Sequence, residues 1–560
     1  MPAGIEVIEN LYITMRDGIK LAVDVYKPKA SGRYPAIMTV SPYKKEGMAG
    51  SPRKEYHTET LDPAFYVPHG YAMVFAQARG SGMSQGQYPF YTVTEQQDGH
   101  DLVEGIAKQP WCDGNVGMTG GSYLGKSTFY TASQQPPHLK CIAPYDAGED
   151  LYRDWAYQSG GMFYGPGFCT YWAASVTRDC LYPGPVEGKL PPVNIELEFL
   201  EHYLDGPFWW ERSPIYHVDK ILCPVLNIVP GSAWLHSRGH LECYKRIRSQ
   251  QKLVVGPNAN KLQGPSSTII WENRPLNEYL LRWFDHWLKG IDTGIMNEPP
   301  VIIYDDGVDE WRYENEYPLA RTKWTKYYLH ANPSNQGIPP QGLISTEEPG
   351  DDESPHKYKA PRLRHDLVVA KPPLSFVTEP LENDLKLVGP LSLTLYGSTA
   401  TDNTRALAWF ARLGDVAPNG TLTLITKGNL KASFREVDRS KSGPGQPFHP
   451  FNKQVYVEAN KVHDFEIEMQ PIFHTFRASH KLWLQIASDD PTFTVTNLED
   501  AICEPLPEAE NSVYNDRAHP SHLLLPVIPE APIIAPVGKS IWDSAFTKLT
   551  GYPVDRPIIR

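Results

Sequence analysis

Cysteine is scarce in this chain, and long apolar runs are missing. The seven cysteines among 560 residues are scattered and form no C-x-x-C pair, which disfavours a disulfide framework or a zinc site. No stretch approaches the ~20 consecutive apolar residues that cross a bilayer. The amino terminus also lacks the basic start and apolar run of a secretory signal. We therefore expect a cytoplasmic protein with no membrane partner.

Positive charge is in short supply as well. The formal net charge is −12, whereas a nucleic-acid partner requires a basic face. The glycine-rich loops lack a phosphate-binding lysine, and the Asp and His residues form no tight ligand cluster in the sequence. We expect no metal and no cofactor. The expected partner is a small-molecule substrate, and self-association as a homo-oligomer stays open.

Strand and helix patterns alternate in the first part of the chain. Short apolar runs at 35–40 and 71–76 are typical of strands buried on both faces. A helical pattern covers 96–109, a further strand covers 116–119, and a second helix begins at about Leu124. This alternation predicts a doubly wound α/β sheet.

The sequence pattern changes twice along the rest of the chain. An aromatic-rich segment interrupts the sheet pattern, and from about residue 299 short alternating runs separated by turn residues indicate an all-β domain. The predicted organisation is an α/β core of residues 1–150 and 216–295, a helical cap insert of residues 151–215, a jelly-roll β-sandwich of residues 296–535, and a carboxy-terminal extension of residues 536–560.

Aromatic side chains of the insert are candidates for a substrate pocket. The alternative is that they are ordinary core aromatics. The candidates are Trp155, Phe163, Tyr164, Phe168, Trp172, Trp209 and Trp210.

The sharpest local motif is a serine between glycines, G-x-S-x-x-G, from Gly120 to Gly125. A serine on a tight strand-to-helix turn needs small neighbours, and such a turn presents the hydroxyl of Ser122 above the sheet. It also aims the Tyr123 backbone N–H at a developing oxyanion. The alternative is a glycine-rich turn that only packs a strand on a helix. A dinucleotide loop is disfavoured because G-x-G-x-x-G is absent.

Residues 109–125 (QPWCDGNVGMTGGSYLG) resemble the bacterial cocaine esterases and X-Pro dipeptidyl-peptidases, the CocE/NonD family of α/β-hydrolases. The resemblance runs from about residue 6 to 530. It continues through residues 41–43 (SPY), 79–86 (RGSGMSQG), 283–290 (WFDHWLKG), 420–428 (GTLTLITKG), 432–435 (ASFR) and 520–529 (PSHLLLPVIP). It implies an α/β-hydrolase core with a carboxy-terminal jelly roll, and hydrolysis of esters or amides through an acyl-serine.

The resemblance also assigns residues to the reaction. Ser122 takes the nucleophile position, and the hydroxyl of Tyr43 joins the Tyr123 amide in the oxyanion hole. The alternative for Tyr43 is a packing tyrosine with a satisfied hydroxyl.

Two positions depart from the family pattern. Where the family has an aspartate after a strand, this chain has Trp234, and where it has a histidine, this chain has Asn260. The triad is therefore degenerate by this comparison. Because asparagine cannot accept the serine proton, loss of the base predicts a rate lower by ~10²–10⁴.

Other side chains are possible substitutes for the base. His236 and His240 follow the strand that should carry the acid, although each also fits a surface or cap-contact histidine. Lys126 lies one helical turn beyond Ser122, and we expect it to be solvated.

Two readings of the function follow. The first is a hydrolase or acyl transferase that keeps Ser122 and rebuilds its base. The second is a non-hydrolytic biosynthetic enzyme, a cyclase, isomerase or lyase, that keeps the oxyanion hole of Tyr43 and Tyr123 to polarise a carbonyl. A catalytically silent binding protein is a third possibility, since fold alone decides none of these.

Overall fold

The computed structural model describes most of the chain. The described residues are 4–43, 59–148, 150–163, 172–181, 186–232, 235–257, 274–331, 341–360, 374–401, 407–488 and 509–529. Four of the predicted site residues, Tyr164, Phe168, Trp234 and Asn260, lie outside these ranges, as does the predicted extension of residues 536–560. Within them, no helix has the length and apolar character needed to cross a bilayer.

The first part of the chain forms six of the ten strands of an α/β sheet, together with three of its helices. Its strands are β1 (Ile5–Thr14), β2 (Lys20–Pro28), β3 (Tyr34–Ser41), β4 (Ala72–Gln77), β5 (Cys112–Gly121) and β6 (Leu139–Tyr145). Its helices are α1 (Pro63–Tyr66), α2 (Val93–Ala107) and α3 (Ser122–Ser133). All six residues of β4 are buried, as its unbroken apolar run predicts for a strand covered on both faces. Helix α3 begins at Ser122 itself, two residues before its predicted start.

Short helices make up the described part of the insert. Its elements are π-helical segments at Leu151–Ala156 and Trp172–Leu181, helices α4 (Gln158–Gly161), α5 (Ile195–Glu201) and α6 (Pro207–Glu211), and the two-residue strand β7 (Met162–Phe163). The side chain of Asn194 caps α5 by accepting a hydrogen bond from the Leu197 N–H at 2.9 Å, which satisfies one of the free donors of the first turn. The cap fixes the residue at which α5 begins.

The sheet then resumes and reaches its far edge. The elements are β8 (Val225–Val229), α7 (Ser237–Arg246), β9 (Gln251–Val255), α8 (Arg274–Lys289), β10 (Val301–Asp305) and β11 (Glu310–Glu314). Short 3₁₀ turns lie at Val67–His69, Pro214–Tyr216, Val218–Lys220, Ile295–Asn297 and Ala432–Phe434.

The first sheet has ten strands in the order β1-β2-β4-β3-β5-β6-β8-β9-β10-β11. Pairings from β4 to β10 are parallel, so the chain leaves each of these strands at the same edge. The sheet continues past residue 296, where the β domain is predicted to begin, because β10 pairs with β9 and β11 pairs with β10. The α/β core therefore extends to Glu314.

The second sheet contains the remaining strands, and all but one of its pairings are antiparallel. They are β12 (Lys323–Ala331), β13 (Gly342–Ser345), β14 (His356–Ala360), β15 (Leu374–Val377), β16 (Leu385–Thr399), β17 (Ala408–Val416), β18 (Leu422–Lys431), β19 (His463–Phe476), β20 (Lys481–Ala487), β21 (Ala509–Tyr514) and β22 (His522–Val527). Strand β22 pairs with both β12 and β16, so the sheet closes on itself. The jelly-roll connection stays a prediction.

Buried polar contacts join the two sheets. The carboxylate of Asp305, at the end of β10, accepts hydrogen bonds from the backbone N–H of Thr475 at 2.9 Å and from its hydroxyl at 2.6 Å. Asn429 on β18 donates its side-chain amide to the Gln158 carbonyl of the insert at 3.1 Å. Core, insert and β domain therefore pack against one another, and the site lies where they meet.

Candidate active site

Ser122 stands on a sharp turn between strand β5 and helix α3. Its φ of 49° lies in the left-handed region, which costs a residue with a side chain on the order of 1–2 kcal/mol. The backbone N–H of Ser122 donates to the carbonyl oxygen of Asp146 at 2.8 Å, and the residue is partly exposed. This strained strand–turn–helix geometry is that of a nucleophile elbow.

The neighbour of the serine must be glycine for a steric reason. A Cβ on Gly121 would lie 2.3 Å from the Tyr145 ring, and the Tyr145 hydroxyl is in turn held by the Glu59 carbonyl at 2.7 Å. The ring therefore has little freedom to move away. The sequence prediction that small residues flank Ser122 has this physical basis.

Tyr43 comes to the same edge of the sheet as Ser122. Strands β3 and β5 are parallel neighbours with Met38 opposite Met118, so Tyr43 and Tyr123 leave the sheet at the same level. Their rings meet edge to face with centroids 6.0 Å apart, and Tyr43 is buried. The Tyr123 N–H lies in the first turn of α3, where backbone donors have no acceptor inside the helix. The Tyr43 ring and the Tyr123 backbone N–H thus lie at the edge of the sheet that carries the elbow.

The side chain of Tyr123 holds the start of α3 through buried hydrogen bonds to two neighbouring side chains. Its hydroxyl donates to Glu95 of α2 and accepts from the Tyr88 hydroxyl at 2.8 Å. The other Glu95 oxygen accepts the Tyr91 backbone N–H at 2.7 Å. Burial raises the pKa of Glu95 to about 7, although the hydrogen bond from Tyr123 opposes that rise. The network fixes the helix end that presents Ser122.

A histidine–aspartate pair lies next to the elbow. His236 Nδ1 is 3.0 Å from Asp146 Oδ1 and 2.6 Å from the Asp146 carbonyl oxygen, and both residues are almost fully buried. Because the backbone carbonyl only accepts, Nδ1 carries the proton and Nε2 remains the basic nitrogen. That same carbonyl accepts the Ser122 N–H, so one oxygen holds both the nucleophile's backbone and the imidazole.

The His236 imidazole packs closely against the backbone of Gly148, two residues after Asp146. A Cβ on Gly148 would lie 2.7 Å from His236 Cδ2, so only glycine leaves room for the ring. Asp146 itself was missed in the sequence because the family places its acid elsewhere. The available signal was its position directly after β6, at the carboxyl edge of a parallel sheet next to the nucleophile strand.

His240 is the weaker of the two predicted substitute bases. It lies one turn after His236 on α7 and packs edge-on against Phe129 at 5.4 Å. Burial, together with the nearby His236, lowers its pKa to about 3. A base with so low a pKa takes up a proton poorly near neutral pH.

Glu59 is a second carboxyl group that sequence reasoning missed. Its carbonyl accepts the Gly121 N–H at 3.1 Å, immediately before Ser122. Its Oε2 atom is buried and makes no hydrogen bond with any described residue. Burial and the neighbouring Asp146 raise the pKa of Glu59 to about 8, while Lys126 opposes that rise. The carboxyl is therefore largely neutral at pH 7.

Lys126 is fully buried, so the expectation that it is solvated is wrong. Its ammonium lies 4.8 Å from the Trp155 ring centroid and 5.9 Å from that of Tyr91. The physical reason is the insert: Trp155 covers this face of α3, and Trp172 stacks on the Tyr123 ring at 6.2 Å. Both tryptophans thus lie over the helix that carries Ser122.

The other predicted pocket aromatics that the structure describes pack elsewhere. Phe163 contacts Tyr157 at 5.5 Å. Trp209 is fully buried against Phe199 at 5.1 Å, within the insert. Trp210 is 45 % exposed, and its indole N–H donates to Asp205. For Trp209 and Trp210 these contacts do not support a pocket position, because both are engaged by the insert's own side chains or by solvent.

Within the described ranges, no group of three or more His, Cys, Asp and Glu side chains has the arrangement to hold a metal ion.

Two family profiles match this chain, one for each half. Residues 17–259 match the X-Pro dipeptidyl-peptidase family (S15). Residues 293–524 match the X-Pro dipeptidyl-peptidase C-terminal non-catalytic domain. The first match contains the elbow and the histidine–aspartate pair, and the second contains nearly all of the second sheet.

Individual relatives agree with these matches along nearly the whole chain. The cocaine esterase of Rhodococcus sp. (strain MB1 Bresler) is 26% identical over 93% of this chain and 98% of its own. The crystal structure of a CocE/NonD family hydrolase from Staphylococcus aureus superposes with a TM-score of 0.80 at 23% identity, over 94% of this chain and 97% of its own. An α-amino acid ester hydrolase superposes with a TM-score of 0.74 at 19% identity, over the same shares of the two chains. The two structures show the fold.

Proposed function

Since the chain belongs to the cocaine esterase and X-Pro dipeptidyl-peptidase family of hydrolytic enzymes, we propose that it cleaves an ester or amide of a small organic substrate through Ser122. The observation that carries the proposal is the shared carbonyl of Asp146, which holds the Ser122 N–H and His236 Nδ1 together. A serine alone is a poor nucleophile, and a neighbouring base is what activates it.

In this proposal His236 replaces the base that is absent at position 260, and Asp146 replaces the acid that is absent at position 234. His236 Nε2 takes the Ser122 proton as Oγ attacks the substrate carbonyl, and later gives it to the leaving group. Asp146 keeps the proton on Nδ1 and stabilises the imidazolium that forms. The acyl-serine is then hydrolysed by water that His236 activates in the same way.

The oxyanion of each tetrahedral intermediate is stabilised in this proposal by the Tyr123 N–H and the Tyr43 hydroxyl. Removal of one such donor costs about 10²–10³ in rate in serine hydrolases. Support comes from the equal level of the two residues at the edge of the sheet and from the edge-to-face contact of their rings at 6.0 Å.

A second candidate is non-hydrolytic chemistry on the same scaffold, such as a cyclase, isomerase or lyase reaction. Glu59 favours it, because a carboxyl with a pKa of about 8 beside the elbow is suited to giving and taking a proton near neutral pH. In this candidate Ser122 binds the carbonyl without being acylated.

A fluorophosphonate probe followed by intact mass measurement separates the two candidates. Hydrolysis predicts one adduct per chain, lost in the Ser122→Ala variant and strongly slowed in His236→Gln. Absence of an adduct from the folded wild-type protein contradicts the proposed function. The Glu59→Gln variant is the matched comparison. Loss of the Glu59 carboxyl group abolishes only the second chemistry, so labelling of Ser122 should be unchanged.

A further inference from the structure

The helix that follows His236 is held by two other parts of the protein. Arg238, in the first turn of α7, is buried and reaches two carboxylates. Its Nη1 lies 3.2 Å from Asp154 Oδ1 in the insert. Its Nε donates to Glu468 Oε1 at 2.9 Å on strand β19 of the second sheet.

The loop before His236 is held by the same strand. Ser232 Oγ accepts the backbone N–H of Phe473 at 2.9 Å, and Phe473 also belongs to β19. Ser237, next to His236, donates its hydroxyl to the carbonyl of Gly231 at 2.8 Å. Strand β19 therefore contacts the chain on both sides of His236, at Ser232 before it and at Arg238 after it.

The ion pairs of Arg238 with Asp154 and Glu468 are buried, so breaking either one is costly. Asp154, Arg238 and Glu468 are at most 9 % exposed. Breaking a buried pair by removing one partner is strongly unfavourable, because the remaining charge stays out of water. The arrangement therefore fixes the direction of α7 more firmly than a surface ion pair would.

Position matters for a base that must reach a serine hydroxyl. A misplacement of about 1 Å can cost about 10²-fold in rate. We infer that Arg238 is a positioning residue for His236, and that the β domain, through Glu468 and the Phe473 backbone, is required for the reaction although its family profile describes it as non-catalytic. This inference rests on the proposed function of His236.

The experiment compares two substitutions on the same strand of the full chain. Glu468→Gln removes the charge that holds Arg238. The control, Thr475→Val, removes the hydroxyl contact to Asp305 between the same two sheets and leaves the Arg238 contacts in place. The rate of fluorophosphonate labelling is measured against probe concentration for each protein.

We expect Glu468→Gln to lower the maximal labelling rate about 10-fold or more, with an unchanged half-saturating probe concentration. We expect Thr475→Val to label at the wild-type rate. Arg238→Gln should be slower still, and Arg238→Lys, which keeps a cation between the two carboxylates, should recover part of the rate. Near-ultraviolet circular dichroism verifies that each variant is folded.

Two results overturn the inference alone: a Glu468→Gln variant that labels like the wild type, or a Thr475→Val variant that is slowed equally. A wild-type protein that the probe does not label overturns the proposed function, and the inference with it. The two failures are therefore distinguishable by the wild-type result.

Discussion

Glu95 provides a stability prediction whose sign and size follow from its burial. The carboxyl is 6 % exposed, and its pKa is raised from 4.5 to about 7 mainly by desolvation. A carboxyl whose pKa is higher in the folded state binds its proton more tightly there than in the unfolded chain. Its stabilising contribution is therefore complete below about pH 4.5 and is lost as the pH rises to about 7. The loss amounts to about 3 kcal/mol.

The Glu95→Gln variant removes this pH dependence while keeping an oxygen that can accept from Tyr123. Relative to the wild type, the variant should therefore gain about 3 kcal/mol in free energy of unfolding between pH 4.5 and pH 8. Urea unfolding of both proteins, followed at several pH values by tryptophan fluorescence, measures the difference. A difference between variant and wild type that stays constant across this range refutes the reasoning, because it means that Glu95 titrates alike in the folded and unfolded chains.

Two further predictions concern the elbow and its base. Ser122→Gly should raise the midpoint of thermal unfolding relative to Ser122→Ala, because only glycine adopts a φ of 49° without strain, a gain of about 1–2 kcal/mol. Both variants should lose probe labelling. Equal midpoints for the two variants would contradict the argument that Ser122 is strained. Asp146→Asn should slow probe labelling about 10²–10⁴-fold, because the neutral amide no longer stabilises the imidazolium that forms. A labelling rate like that of the wild type excludes Asp146 as the acid.

The sequence was sufficient to locate the elbow and to name His236 as a candidate base, but not to find the pairing of His236 with Asp146. Small residues around Ser122 are a local signal, and the turn forms from that signal. The pairing of His236 with Asp146 joins residues 90 positions apart, and it depends on which strand ends lie side by side. Family spacing pointed to positions 234 and 260 for the acid and the base. The order of the strands was needed to find that Asp146 lies beside His236 instead.

Two features differ from the local sequence pattern because long-range packing decides them. A lysine on a helix is expected to be solvated, but Trp155 from the insert covers Lys126. Strands β10 and β11 are short, and the pairing of β10 with β9 and of β11 with β10 extends the first sheet beyond residue 296. In both cases the deciding contact comes from a part of the chain that local pattern does not reach.

Backbone strain argues against the alternative that the glycine-rich turn only packs a strand on a helix. Three residues with side chains have positive φ at this one place: Ser122 at 49°, Asp146 at 44° and Glu59 at 66°. Backbone hydrogen bonds join them, since the Asp146 carbonyl binds the Ser122 N–H and the Glu59 carbonyl binds the N–H of Gly121. Each such conformation costs of order 1–3 kcal/mol, and glycine adopts it without that cost. A turn used only for packing could have glycine at these positions, so the three strained side chains favour a functional role for the turn.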